Sequence, residues 1–260
     1  MEHDVVPVQP QHPAEALFHA VAGQAFFVCL QPRYLLPGLT IIGAEALLRW
    51  NDPPHGIRFP REFIGAAERY GYAETLDLFA FEQACLCIAQ WRQAGVAAVP
   101  VSVNISTPSL YAPGFVSAVK DCIRKYEVPP ALLAFEFSAM QAQEHPVALF
   151  KAIKQFHAFH CGCLIDGYQK DALLLERLCA FEIDAIKFYC GGLRPEDTDA
   201  FAACLETLSA AQQMNLPLIV EGVEDEEQLK VLIDAGCTQA QGFALSPPVT
   251  PQLFLKMLLA

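Results

Sequence analysis

The sequence predicts an α/β protein, a modified TIM-like (β/α)8 barrel in which one strand runs antiparallel to its neighbours. Eight short β-rich runs recur along the chain, and segments with helical periodicity separate most of them. The length of 260 residues is also one that single-domain barrels commonly reach. We therefore expect one large domain with one core.

The eight predicted strands are short apolar runs that are bounded by charged residues, glycine or proline. In chain order they cover residues 25–32, 41–50, 99–106, 132–138, 161–167, 183–189, 217–224 and 239–246.

The first two runs are the exception to the parallel pattern. Only residues 33–40, RYLLPGLT, separate them, and a parallel pair needs a crossover of a dozen residues or more. We therefore predict that these two strands form an antiparallel hairpin. The clearest helical periodicity between the later strands falls in residues 74–95, 146–160 and 197–215.

Composition and charge exclude several classes of function. The formal net charge of −12 argues against a broad phosphate-binding surface, and we expect neither a DNA nor an RNA partner. A small anionic ligand stays compatible with this charge if metal ions offset it locally. No run approaches the roughly 20 apolar residues of a membrane span, and we expect no membrane association.

The ten cysteines, with no secretion signal at the N-terminus, predict a reducing compartment and a cytoplasmic protein. Two C-x-C pairs occur, Cys85 with Cys87 and Cys161 with Cys163, but a structural zinc site ordinarily has wider spacing. We interpret them as buried free thiols, although the second pair would point to one face of a strand and could chelate an ion.

Nearly every predicted strand ends in a polar residue. Because the carboxyl ends of barrel strands meet at one face, these side chains should converge there. Converging carboxylates repel one another unless a cation lies among them, and oxygen ligands favour Mg²⁺, Mn²⁺ or Ca²⁺. The residues are Glu45, Asn104, Glu136, Asp166, Lys187, Glu221 and Gln241.

An ordered set of motifs makes the chain resemble the EAL family of bacterial cyclic di-GMP phosphodiesterases. The resemblance covers residues 15–260 and leaves residues 1–14 as an N-terminal extension. The motifs are QP at 31–32, EALLRW at 45–50, PREFIGAAERYG at 60–71, SVNIS at 102–106, EGVEDEEQL at 221–229 and QGFALSPPV at 241–249.

The resemblance implies the hydrolysis of one phosphodiester bond of cyclic di-GMP with two divalent cations, Mg²⁺ or Mn²⁺. Lys187 matches a lysine that contacts the attacking water, and Glu221 matches a ligand or base near the second cation. The residues implied for the first cation are Glu45, Asn104, Glu136 and Asp166, and those implied for substrate contacts are Gln31, Arg49 and Gln241.

The chain departs from the family pattern around the second cation. The family has two consecutive aspartates where this chain has Asp166 and Gly167. Ala139 replaces a glutamate that anchors the same loop, residues 169–171 lack the usual glycines, and Tyr189 replaces an aspartate. We therefore expect the first cation site to be intact and the second to be impaired.

Three functions follow as hypotheses. The leading one is a degenerate EAL domain that binds cyclic di-GMP as a receptor or regulatory module, with little or no hydrolysis and with Ca²⁺ as a non-productive ion. The second is an active or slow phosphodiesterase, in which Asp171 replaces the missing ligand. The third is a scaffold that acts without a nucleotide, and a protein partner or a homodimer stays open in each case.

Overall fold

The chain folds into a closed barrel of eight strands, surrounded by helices. The computed structural model describes residues 13–53, 55–168, 172–191 and 198–260. The strands are β1 Phe26–Leu35, β2 Thr40–Asp52, β3 Gly56–Arg58, β4 Val101–Asn104, β5 Leu133–Ser138, β6 Gly162–Asp166, β7 Ala185–Tyr189, β8 Leu218–Glu221 and β9 Gln239–Ala240. All strands except β3 form the barrel, which closes where β1 pairs with β2.

Eleven helices are seen in these parts of the chain, together with a 3-10 turn at Pro130–Leu132. They are α1 Pro13–Ala22, α2 Pro60–Arg69, α3 Ala73–Gln93, α4 Thr107–Tyr111, α5 Phe115–Tyr126, α6 Ala139–Glu144, α7 Pro146–His157, α8 Ala172–Ala180, α9 Thr198–Gln213, α10 Glu226–Asp234 and α11 Pro251–Leu259. None of the helices in the described ranges has both the length and the apolar character that crossing a membrane requires.

The predicted barrel and its antiparallel hairpin are confirmed. Strand β1 pairs antiparallel with β2 along its whole length and antiparallel with β9 on its other side, whereas the other barrel strands pair in parallel. Each predicted run coincides with one barrel strand, and six of these strands lie within the predicted bounds. Strand β1 extends past residue 32 to Leu35, and β2 spans Thr40–Asp52.

The short strand β3 was missed. It folds back on the end of β2, pairing Trp50 with Arg58, and its three residues are too few to show a two-residue alternation in the sequence. The predicted extension, residues 1–14, falls almost wholly outside the described residues, so the domain boundary at residue 15 stays a prediction.

Side chains alternate between the inside and the outside of the barrel, and this alternation positions the candidate site. A small apolar cluster fills the interior, formed by Ala134, Leu164, Ala185 and Ile219. Since residues two apart in a strand point to the same face, the residue two positions further along each strand also points inward. Those residues are Glu136, Asp166, Lys187 and Glu221.

The outward-facing side chains of the strands pack against the helices in the main core. Phe135 of β5 stacks on Phe156 of α7 with ring centroids 3.8 Å apart and on Phe81 of α3 at 5.3 Å. Trp91 of α3 stacks on Phe254 of α11, which ties the C-terminal helix to the longest helix. This rigid shell fixes the strand ends that carry the polar residues.

A buried carboxylate anchors the loop that follows β4. Oδ2 of Asp77 in α3 accepts hydrogen bonds from the backbone N–H of Ser106 at 2.8 Å, from Oγ of Ser106 at 2.6 Å and from Oγ of Ser109 at 2.7 Å. Burial raises the pKa of Asp77 to about 6, although these hydrogen bonds oppose the rise. Asp77 therefore fixes the segment directly after Asn104.

The raised pKa of Asp77 makes stability depend on pH. Between its unfolded pKa of about 3.9 and its folded pKa of about 6, the folded state binds a proton that the unfolded state has lost. The contribution of Asp77 to the free energy of unfolding therefore falls as pH rises through this window. Relative to the parent, Asp77→Asn should gain about 2 to 3 kcal/mol between pH 4 and pH 7.

Urea denaturation of the parent and the variant at several pH values measures this change. Asp121→Asn is the matched control, because Asp121 lies on the surface beside Arg124. A difference between parent and Asp77→Asn that stays constant from pH 4 to pH 7 would contradict the titration of a buried carboxyl in this range.

Candidate functional site

The ammonium group of Lys187 lies at the centre of the candidate site. It is 1% exposed, and its Nζ donates to Oε2 of Glu45 at 2.8 Å and to Oε2 of Glu136 at 2.6 Å. Oε1 of Glu221 lies 2.7 Å from the same nitrogen. The three donors of the ammonium thus serve three carboxylates from three strands.

Three amide side chains extend this network. Nδ2 of Asn104 donates to Oε1 of Glu45 at 2.7 Å, and Nε2 of Gln241 donates to Oε2 of Glu45 at 2.9 Å. Nε2 of Gln241 also lies 3.1 Å from Oε1 of Gln31, whose own amide donates to the carbonyl of Ser246. Seven of the sequence-predicted site residues therefore form one connected network.

The acidic residues carry more negative charge than Lys187 balances. Burial, with Glu45 adding to its effect, raises the pKa of Glu136 to about 7, and burial also raises the pKa of Glu221 well above its usual range. For Glu45, burial is outweighed by Lys187 and by three hydrogen bonds, so its pKa is lowered. Burial alone would lower the pKa of Lys187, but the surrounding carboxylates raise it well above its usual value. The group can therefore accept further positive charge.

The donor set fits one divalent cation. Oε1 of Glu136 is buried and has no hydrogen-bond partner among the described residues. Asp166, at the end of β6, acts electrostatically on Lys187 and Glu136, and no hydrogen bond joins it to the other candidates within the described ranges. Carboxylate and amide oxygens of Glu45, Asn104, Glu136 and Asp166 are the ligands that Mg²⁺, Mn²⁺ and Ca²⁺ take.

Arg49 lies apart from this network. It is buried four residues beyond Glu45 in β2, its Nη1 donates to the carbonyl of Leu48 at 2.8 Å, and its guanidinium lies 4.8 Å from the centre of the Phe59 ring. Glu45 still acts on it electrostatically. The structure brings Arg49 to the same face of β2 as Glu45 but not into contact with the other candidate residues.

The loop after β6 begins with the glycine that replaces the second aspartate. Gly167 has φ of +68°, and a Cβ built on it would meet no atom within 4 Å. The next residue, Tyr168, is buried, and its backbone N–H donates to the carbonyl of Lys187 at 3.1 Å. Asp171, the residue that the slow-enzyme hypothesis uses, lies outside the described residues.

The segment around Ala139 is held by a different residue. Ser138 caps α6 by accepting from the N–H of Gln141, and Nε2 of Gln141 donates to the carbonyl of Ile105 at 2.9 Å. This contact ties the end of β5 to the end of β4. Gln141 was not among the residues predicted from the sequence, although its spacing from Ser138 is that of a capping box.

A cavity of about 260 Å³ opens above the network. Two exposed aromatic side chains stand at its rim, Tyr189 at 62% exposure and Phe243 at 70%. Tyr189 lies two residues after Lys187, so the alternation of β7 predicts its position on the inner face. The cavity is lined by Gln31, Glu45, Tyr189, Glu221, Gly222, Glu224, Gln241, Gly242 and Phe243.

Among the hydrogen bonds and ion pairs of the described residues, no cysteine joins the carboxylate network, although Cys29 acts electrostatically on Arg49. All ten are free thiols, which agrees with the interpretation of the two C-x-C pairs. Cys163 lies near His157 and Asp184, at the opposite end of β6 from Asp166. Hydrogen bonding accounts for that group, because Oδ2 of Asp184 lies 2.9 Å from Nε2 of His157 and accepts from the N–H of Cys163 at 2.7 Å.

Comparison with known proteins agrees with this geometry. Residues 14–248 match the family model described as EAL domain. The chain is 30% identical over 228 residues to the bifunctional diguanylate cyclase/cyclic di-GMP phosphodiesterase MucR of Pseudomonas aeruginosa, covering 86% of this chain and 33% of MucR. It is 28% identical over 227 residues to the cyclic di-GMP phosphodiesterase RocR of the same organism, covering 86% of this chain and 58% of RocR. It thus spans only part of each relative.

Solved structures give the same result. The c-di-GMP complex of the MucR phosphodiesterase superposes with a TM-score of 0.86 at 27% identity, covering 93% of this chain and 99% of that one. The EAL domain of FimX from Pseudomonas aeruginosa, bound to c-di-GMP, superposes with a TM-score of 0.82 and covers 91% of this chain and 96% of that one. At 22% identity, the second likeness shows the fold alone.

The central ammonium generates a prediction about stability. Lys187→Met removes the ammonium that contacts the carboxylates of Glu45, Glu136 and Glu221, so the variant should lose about 3 to 5 kcal/mol of unfolding free energy in the presence of a chelator. Because a divalent cation can take over the charge balance, millimolar Mg²⁺ should stabilise the variant much more than the parent. Denaturation with Mg²⁺ and with EDTA measures both effects.

Lys230→Met, which removes an exposed lysine of α10, is the matched control for net charge. A Lys187→Met protein that has the parent's stability in EDTA, or that gains no more from Mg²⁺ than the parent does, would contradict the charge balance.

Proposed function

Because the chain belongs to the EAL domain family, we propose that it binds cyclic di-GMP as a receptor or regulatory module and hydrolyses it slowly or not at all. The family membership and the cavity above the acidic network support the ligand. The residue after Asp166 supports the loss of turnover, and this observation carries the proposal: Gly167 offers no side-chain oxygen where the family has a second aspartate.

The missing carboxylate at position 167 matters because of the chemistry of phosphodiester cleavage. Two cations, when bound on opposite sides of the displacement, activate the water and stabilise the leaving oxygen. Glu45, Asn104, Glu136 and Asp166 would hold the first. Without a carboxylate at Gly167, the second would keep only Asp166 and Glu221 of its usual carboxylates. One Mg²⁺, Mn²⁺ or Ca²⁺ would neutralise a bound phosphate, and the stabilisation that a second cation gives to the displacement would be lost.

The chain's own residues suit a small nucleotide. Exposed aromatic rings such as those of Tyr189 and Phe243 are surfaces on which nucleobases stack. The amides of Gln31 and Gln241 face the cavity and offer donors and acceptors. Arg49, on the same face of β2 as Glu45, would supply a forked donor to a phosphate.

The second candidate is a working phosphodiesterase. The connected network of Lys187, Glu45 and Glu136 favours it, as do the phosphodiesterase activities for which the relatives MucR and RocR are named. It requires a replacement ligand such as Asp171. A scaffold that acts without a nucleotide, alone or as a homodimer, is the outcome if no binding is found.

Titration calorimetry with cyclic di-GMP, with and without Mg²⁺ or Ca²⁺, tests the proposal when the same samples are then analysed by chromatography. We expect binding and a turnover well below roughly 1 per second, the lower end for ordinary enzymes. Arg49→Ala should weaken binding by about 1.5 to 3 kcal/mol, and Arg49→Lys, which keeps the charge but not the fork, should weaken it less. Rapid turnover in Mg²⁺ or Mn²⁺ would establish the enzyme instead.

Restoring the missing ligand tests the cause of the low turnover. Gly167→Asp should cost about 1 kcal/mol of stability because of the positive φ, but the open space around Gly167 avoids a clash. We expect the double change with Ala139→Glu to raise turnover more than the sum of the two single changes, because both residues act on one loop.

For each variant, the melting temperature and the number of bound Mn²⁺ ions are also measured. Gly167→Asn, which has the same shape as Gly167→Asp without the charge, is the matched control. A folded double variant that binds two cations and leaves cyclic di-GMP intact would show that the missing ligand is not the main defect.

A further inference from the structure

Arg33 lies inside the barrel, beneath the acidic network. It pairs with Gly43 in the β1–β2 ladder. The next inward-facing pair along this ladder is formed by Gln31 and Glu45. A Cβ built on Gly43 would lie 2.5 Å from Nη2 of Arg33 and 3.0 Å from its Nε. The guanidinium therefore occupies the space that any larger residue at position 43 would fill.

The guanidinium is a partly buried cation whose charge is matched by the site. Its Nε is inaccessible to solvent and has no hydrogen-bond partner among the described residues. Burial lowers the pKa of Arg33, whereas the carboxylates of Glu136, Glu45 and Glu221 raise it. Because a guanidinium does not lose its proton at ordinary pH, its positive charge must be balanced by the negative charge of these carboxylates. They are the same three that contact Lys187.

We propose that Arg33 is a positioning residue, a fixed internal counter-ion that keeps the carboxylates of Glu45, Glu136 and Glu221 assembled and lowers their affinity for a divalent cation. The reason is Coulombic, since a fixed positive charge beside the cluster repels an incoming dication across a medium of low dielectric constant. The inference rests on the proposed function only in taking this cluster as the cation site of the nucleotide pocket.

The consequence is a site that stays formed when no divalent cation is bound. Lys187 and Arg33 together place two positive charges among the buried carboxylates, from two different strands. Nucleotide binding by this chain should therefore depend less on divalent cations than it would with a neutral residue at position 33.

The test compares Mn²⁺ binding in the absence of nucleotide, by calorimetry and by electron paramagnetic resonance of free Mn²⁺. Arg33→Met keeps much of the side-chain length without the charge, and Arg33→Gln is a second neutral variant. Each should bind Mn²⁺ about tenfold more tightly than the parent, which corresponds to about 1.4 kcal/mol. Arg33→Lys, which keeps the charge, should stay within about threefold of the parent.

Melting temperatures with and without Mn²⁺ separate this role from packing alone. Arg33→Met should melt lower than the parent in EDTA and gain more from Mn²⁺, whereas loss of packing would lower both melting temperatures equally. Arg69→Met, at an exposed position of α2, controls for net charge.

Several results would overturn the proposal. They are equal Mn²⁺ affinity in the parent and in both neutral variants, an equal gain in Arg69→Met, and no Mn²⁺ binding in any of these proteins. Mn²⁺ binding that is seen only in the neutral Arg33 variants would support it. Because no nucleotide is present, a failure of cyclic di-GMP to bind would count against the proposed function and leave this comparison intact.

Discussion

The shared ion pair of Lys187 with Glu45, Glu136 and Glu221 is the interaction on which the interior of the barrel depends. Four charged residues from four strands, three of them buried, would be costly to remove from water one at a time, but each here has a partner within hydrogen-bonding distance. The strands can therefore end in acids without forcing the barrel open. The same pairing holds the carboxylates in a fixed geometry, which a ligand-binding site requires.

The barrel itself supplies that geometry through its alternation of side chains. The apolar layer of Ala134, Leu164, Ala185 and Ile219 lies below the polar one, so much of the floor of the site is apolar. A low dielectric constant on one side strengthens every electrostatic interaction above it. It also explains why Glu136 and Glu221 hold protons more tightly than acids in water do.

Sequence reasoning could predict the parts of the molecule that periodicity and spacing control. The eight barrel strands, the hairpin and the convergence of Glu45, Asn104, Lys187 and Gln241 follow from apolar runs that end in polar residues. The position of Arg49 against Phe59 did not follow, because a stacking contact between residues of different elements leaves no periodic signal. Arg33 was overlooked because the prediction placed it in the connection between the first two strands, whereas β1 continues to Leu35.

The closing strand pair of the barrel has a consequence for ligand binding. Strand β1 is paired with β2 over ten residues but with β9 only through Tyr34 and Leu35, supplemented by one bridge between Leu30 and Val249. Few backbone hydrogen bonds join this seam, as is also the case between β6 and β7 and between β8 and β9, so it is one of the joints of the barrel where local opening costs little. Gln31 and Gln241 lie on opposite sides of it. A ligand that contacts both amides would act as a clamp, so occupancy of the pocket and closure of the barrel would be thermodynamically linked.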